Sequence, residues 1–156
     1  MTQAISHEIL SRFRDNEFGP TLVSDFFVDA GTPVDARTLL DPSWSLYGLD
    51  LTERKAIFVQ MPLDVDLTTA AFVQVTQFHD ALRLITVALD DLEAVAALMP
   101  EPDQRVLMFS MGRCGPTLVS RVLAQVPGVC SLSEPGPFLT LALARYSLKP
   151  PCNGRW

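Results

Sequence analysis

"RVLMFSMGRCGPTLVSRVLAQVPGVCSL", residues 105–132, carries the pattern on which the fold reading turns. Residues 105–110 (RVLMFS) are apolar and read as a strand. Met111 to Pro116 hold two glycines and a proline, so the chain turns there. From Thr117 to about Val126 the apolar positions recur at helical spacing. Pro127-Gly128 ends that helix, and residues 129–132 (VCSL) read as a further strand. A strand, a tight turn, a helix and another strand form the unit that places two strands parallel.

The segments upstream extend the alternation. KAIFVQM (55–61) and LRLITVAL (82–89) read as buried strands from their β-branched and aromatic content. Thr68 or Thr69 is positioned to cap a helix running to about Asp80. Asp90 or Asp91 is positioned to cap another through Met99, closed by Pro100 and Pro102. Ile5, Ile9, Leu10 and Phe13 predict an amphipathic helix over 3–14, stopped by Gly19-Pro20. TLVSDFFV (21–28) fits either a strand or a buried helical turn. Residues 29–54 hold many turn formers and read as loop with one helical turn, with Trp44, Leu46 and Tyr47 as anchors. GPFLTLALARYSL (136–148) reads as a last helix, and KPPCNGRW breaks every pattern. The expected class is α/β with a mainly parallel sheet. Residues 1–102 read as an N-terminal α/β extension, and 103–156 as the start of a nucleotide-binding core.

Composition bounds the function. The 156 residues are 48% apolar and 19% charged, as in a globular chain of one ordinary domain. Net charge is −6, and the basic residues, mostly arginine, are scattered singly, so the footprint of a nucleic-acid binder is missing. Cys114, Cys130 and Cys152 are an odd number without metal-ligand spacing and read as reduced thiols of a cytoplasmic protein. The opening lacks a signal-peptide core, and no run is long enough to span a membrane. Asp64, Asp66, Asp90 and Asp91 read as turn and cap residues without metal-loop spacing, so no metal is expected. His7 reads as a solvated residue on a polar helix face. His79 and Asp80 are neighbours that do not face each other on a helix.

The turn before the third helix is an anion site by construction. Backbone N–H groups at a helix start lack intrahelical acceptors, and the macrodipole adds partial positive charge. Gly112 and Gly115 permit a tight turn and close approach of a phosphate. Arg113 adds a permanent charge with a planar fork of donors, and Thr117 a hydroxyl. A Walker loop requires a lysine after its last glycine, yet Pro116-Thr117 follow Gly115 and no lysine occurs between Lys55 and Lys149. A cysteine phosphatase built on Cys114 requires an arginine after five intervening residues, and Arg121 follows after six.

Residues 106–135 resemble the 5′-phosphosulfate loop, first helix and second strand of the sulfotransferase family, in particular bacterial sulfotransferase-like proteins and protein-tyrosine sulfotransferases. The matching positions are Arg113-Cys114-Gly115-Pro116-Thr117-Leu118, then Pro127-Gly128-Val129, then Ser133-Glu134-Pro135. The resemblance covers about a fifth of the chain and implies a P-loop-type parallel sheet, incomplete at the C-terminus. It implies 3′-phosphoadenosine-5′-phosphosulfate as sulfuryl donor, and a hydroxyl or amine as acceptor. Gly112, Arg113, Cys114, Gly115, Pro116, Thr117 and Leu118 would form the cofactor loop, with Arg113 and Glu134 as the catalytic pair. Glu134 would act as general base. Pro116 stands where the family has a hydroxyl residue, removing a hydroxyl and an N–H that would face the ligand. With the later 3′-phosphate segments lacking, the resemblance predicts impaired activity. The alternative is a non-catalytic protein that keeps the fold and pairs through an uncovered sheet edge with a partner or a second copy.

Overall fold

The computed structural model describes residues 3–109 and 114–148. Six strands, β1 (Gln3–Arg12), β2 (Phe26–Val28), β3 (Thr32–Asp35), β4 (Trp44–Asp50), β5 (Lys55–Gln60) and β6 (Arg83–Ala88), form one sheet. The helices are α1 (Val73–Asp80), α2 (Leu92–Ala96), α3 (Pro116–Leu123) and α4 (Gly136–Leu148). The sheet runs β2–β1–β6–β5–β4, with β3 also on β1, and every pairing is antiparallel. The expected mainly parallel sheet is therefore corrected to an antiparallel one.

The reason lies in what an apolar run reports. In β5, Ala56 and Phe58 enter one core while Ile57 and Val59 enter the other; in β6, Ile85 and Val87 oppose Leu84. Both faces of the sheet are covered, so its central strands read as unbroken apolar runs, the usual mark of a parallel sheet. Nor does the connection from β5 through α1 cross the sheet. It returns to the end where β5 finished, so Gln60 lies opposite Arg83 and Lys55 opposite Ala88. The first core is closed by Ala36 and Leu39 of the 3₁₀ turn Ala36–Leu40 and by Val95 of α2. Phe26, Met61, Phe78 and Ala81 close the second.

The N-terminal segment is a central strand, not the expected helix. Ile5 and Ile9 are four apart, which suits a helix but also puts both on one face of a strand. Small Ala4 and Ser6 point the other way and are buried. Pairing on both edges, with β6 on one side and β2 and β3 on the other, decides for the strand. β2 and β3 both lie along β1, Arg12 facing Phe26 and Gln3 facing Asp35, with a register shift between Ile9 and Ser11. Residues 29–31 bow out between them, with Gly31 at φ 74° and the Asp29 carboxylate accepting from the Glu8 and Gly31 amides.

Residues 29–54, expected as loop with one helical turn, hold a 3₁₀ turn and also supply the strands β3 and β4. Their turn formers end short elements instead of filling one long loop: Asp35 accepts from Arg37 N (2.9 Å) and Asp41 from Ser43 N (2.8 Å). Asp66, not Thr68 or Thr69, makes the cap, at the 3₁₀ turn Leu67–Thr69, and α1 starts later. Neither Asp90 nor Asp91 caps α2 through its side chain; Asp90 instead pairs with Arg54 at 2.5 Å.

The last correction concerns the opening stretch. Residues 105–109 and 129–132 are not strands, although α3 and α4 lie where helices were expected. The sheet is completed by residues 3–88, leaving the later strand-forming side chains without partners in it. The C-terminal segment attaches by other means. Val73 N donates to Ser133 O (3.0 Å), Ser120 and Ser131 share a hydroxyl contact of 2.8 Å, and α4 packs along β4. Gly136, at the start of α4, sits so close to Thr21 and the Tyr47 carbonyl that a Cβ there would lie 2.6 Å from each.

Thr21 is also wedged against Gly48 of β4, where a Cβ would approach its hydroxyl to 2.3 Å. Gly48→Ala should destabilise the chain by about 1–3 kcal/mol in denaturant unfolding, because the neighbour is fully buried. Adding Thr21→Ala should recover part of that loss. Gly128→Ala, which meets open space and only a φ penalty, should cost about 1 kcal/mol.

Candidate functional site

The turn preceding α3 has the local form of an anion cradle. Gly115 is the N-cap residue, at φ 76° and ψ 30°, a left-handed conformation that glycine adopts without strain. Pro116 occupies the first helical position, where a missing N–H costs the helix nothing. The Gly115 carbonyl accepts from Leu118 N (3.1 Å) and Val119 N (3.3 Å), so the first turn is closed from within. Among the described residues the N-cap position makes no side-chain cap, and a Cβ at Gly115 would meet no atom within 4 Å. Thr117 is half-buried, while Cys114 and Leu118 are exposed. Gly112 and Arg113 lie outside the described residues.

Glu134 reaches its place differently. It has φ 51°, between Ser133, whose carbonyl is tied to Val73 N, and Gly136, pressed against Thr21. Ser133 and Gly136 thus bracket Glu134 and Pro135, and Glu134 takes up the left-handed region, a strain that a non-glycine residue adopts only when its surroundings impose it. The Glu134 side chain is exposed. Arg121, on the inner side of α3, lines a cleft with Thr68, Thr69, Ala124 and Gln125. A larger cleft of about 430 Å³ lies between Pro42–Ser45, residues 61–68 and the exposed Cys130 and Leu132.

Sequence reasoning missed a buried charged cluster. Asp25 Oδ2 accepts from the Tyr47 hydroxyl (2.5 Å) and from Leu22 N (3.1 Å). Arg14 Nε stands 3.7 Å away, and both charged side chains are more than nine-tenths buried. The same guanidinium reaches the Tyr47 hydroxyl at 3.3 Å and lies over the Tyr47 and Phe78 rings, its carbon 6.0 Å from each centroid. Burial pushes the Asp25 carboxyl above its ordinary value of 3.8, against the opposing pull of Tyr47, the Leu22 amide and Arg14. Burial, with the Asp25 charge beside it, drives the Tyr47 hydroxyl upward too, so it stays a donor. The available signal was an aspartate in the middle of the apolar run TLVSDFFV.

His7, expected to be solvated, is half-buried on β1. Its Nδ1 is 3.2 Å from the Asp29 carbonyl, which only accepts, so Nδ1 carries the proton in the neutral ring. Nε2 then accepts from the Thr86 hydroxyl at 3.2 Å. Gly31 covers the ring so tightly that a Cβ there would lie 2.6 Å from it. The arrangement locks the bow between β2 and β3 onto β1. His79 pairs with Glu17, not with Asp80.

No family model, no curated protein and no solved structure matches this chain. Among the described residues no helix is long and apolar enough to cross a membrane.

The buried carboxylate and the exposed ones should titrate in a fixed order. Hydrogen bonds from Ser43 hold Asp41 below 3.8, and those from Thr68 hold Asp66 below it. Their contributions to stability are present above the ordinary value and fall away as pH drops through the lowered ones. Asp25 has the opposite sign: its contribution is full below 3.8 and is lost as pH rises from there through its raised value. Carboxyl-carbon NMR should find Asp25 ionising last of the three. Tyr47→Phe should destabilise by about 1.5–3 kcal/mol, the worth of a hydrogen bond to a charged group, and should raise Asp25 further.

Proposed function

We propose that the chain is a sulfotransferase-type protein that binds the 5′-phosphosulfate end of 3′-phosphoadenosine-5′-phosphosulfate at the turn before α3. What supports the reading is the resemblance of residues 106–135 together with one geometric observation. The left-handed Gly115 opens α3 onto empty space, with its own amide and that of Thr117 uncommitted to an acceptor among the described residues. An anion placed there meets two backbone donors and the positive end of the helix. Arg113, one residue before Cys114, would add charge on the sulfate, and Leu118 would form the rim. Charge stabilisation and positioning are what sulfuryl transfer demands, by analogy with phosphoryl transfer. Glu134 would take the proton from the acceptor hydroxyl or amine. The reading places the protein in the cytoplasm, where the donor nucleotide is made available and thiols such as Cys114 and Cys130 stay reduced.

Pro116 sets the strength of this site. A serine there would return one N–H and one hydroxyl to the cradle, each worth about 1.5–3 kcal/mol to a charged ligand. Titration calorimetry with adenosine 3′,5′-bisphosphate should therefore show weak binding by the natural chain and at least tenfold tighter binding by Pro116→Ser. Arg113→Ala should abolish both. An absence of heat from the natural chain and from Pro116→Ser alike would sink the proposal.

The outward apolar face of α3 favours a second reading, a non-catalytic interaction protein. The two are compatible, since the cradle and that face occupy different parts of the helix.

A further inference from the structure

Both apolar cores are complete before the C-terminal segment begins. Their buried members run from Ala4 to Val95, and the partly buried side chains packed on them end at Met99. Beyond Met99, the buried positions among the described residues are Ser120, Ser133, Gly136, Pro137 and Thr140. No Val, Leu, Ile, Met or Phe is buried among them, and α4 leaves Phe138 51% and Tyr146 78% exposed. Buried apolar area is the main term that makes an element resist local opening, and this segment lacks it.

What holds the segment is polar and steric. The hydrogen bond that ties it to the rest, among the described residues, runs from Val73 N to Ser133 O (3.0 Å). Gly136 is pressed against Thr21 and the Tyr47 carbonyl. Thr21 Oγ1 and Thr140 Oγ1, the latter one turn along α4, are buried without a partner among the described residues, and opening gives both of them water. The Ser120–Ser131 contact, by contrast, lies inside the segment and joins α3 to the loop before α4. Residues 100–109 are exposed throughout, lie outside any helix or strand and include Pro100 and Pro102. A tether of that length reaches up to about 35 Å when extended, slack enough for the segment to lift.

We infer that residues 116–148 form a strap that opens as one unit from a body, residues 3–99, which stays folded. Closed, the strap lies along β4 and covers Thr21 and the Tyr47 carbonyl. Open, it bares them and carries α3, Glu134 and α4 away together. The opening needs no ligand at the α3 turn, so it stands or falls apart from the proposed activity.

Hydrogen exchange on the full chain, followed peptide by peptide in reductant, tests the inference. After correction for intrinsic rates, amides of α3 and α4 should exchange about a hundredfold faster than those of β1, β5 and β6, yet slower than an unfolded chain. Gly136→Ala places a methyl group 2.6 Å from Thr21 and the Tyr47 carbonyl and favours the helix itself. It should speed exchange in both helices by roughly a further tenfold and leave the strands unchanged. Helices protected as strongly as the strands overturn the inference, and so do helices that exchange at the unfolded rate. An α3 unmoved by Gly136→Ala overturns it too, because the two helices then open apart. Strands that lose protection in step with α4 in that variant do the same, because the strap is then part of the body.

Discussion

The contact between the Asp25 carboxylate and the Tyr47 hydroxyl holds together parts of the chain that no regular pairing joins. Asp25 ends the 3₁₀ turn that leads into β2, at one edge of the sheet order, and Tyr47 belongs to β4, at the other. Tyr47 is the extra residue of a bulge: Leu46 lies opposite Phe58 and Gly48 opposite Ile57, leaving Tyr47 unpaired in the ladder. A bulge re-aims its side chain, and here it sends a phenol into the second core, against Phe26 at 5.2 Å. Arg14 completes the group, its charge set against Asp25 inside a largely apolar wall. A buried pair of this kind contributes little net stability when intact and costs about 3–5 kcal/mol when one partner is removed. Its effect is to define which loop meets which strand.

The C-terminal segment inherits that definition. Thr21 stands four residues before Asp25, fully buried, with Gly48 on one side and Gly136 on the other. Both glycines are required by close approach, since neither place has room for a methyl group. Docking of α4 therefore depends on the same loop that Asp25 anchors. Glu134, left-handed, and Pro135 span the gap between Ser133, bonded to α1, and Gly136, held against Thr21.

Much of this was legible, and the illegible part has a physical explanation. KAIFVQM and LRLITVAL announced strands because side chains on both faces are buried; direction was not written in them, since burial on two faces has the same appearance whichever way the neighbours run. Ile5 and Ile9 satisfied two periodicities at once, and only the long-range edges of β6 and β3 decide between them. The Gly115-Pro116 start of α3 was readable because local conformation alone dictates it. The Arg14–Asp25–Tyr47 group was not, because its members are spread over three segments and nothing local says that the anchor Tyr47 meets the aspartate of TLVSDFFV and Arg14.

Residues 105–132 bring the two levels into conflict. Val106 to Phe109 have the composition of a strand and Leu118 to Val126 the periodicity of a core helix, yet the sheet is built by residues 3–88 alone. With no strand to pack against, α3 attaches by its polar side, through Ser120 and the cleft at Thr68, and its apolar side is left facing water. Local preference and global fold normally agree in a natural sequence, and places where they diverge tend to be sites where another molecule completes the structure. The two proposed roles of α3 divide along this line. Its N-terminal amides are exposed because helices begin that way, and an anion answers them. Its apolar stripe is exposed because the sheet cannot take it, and only a further apolar surface answers that.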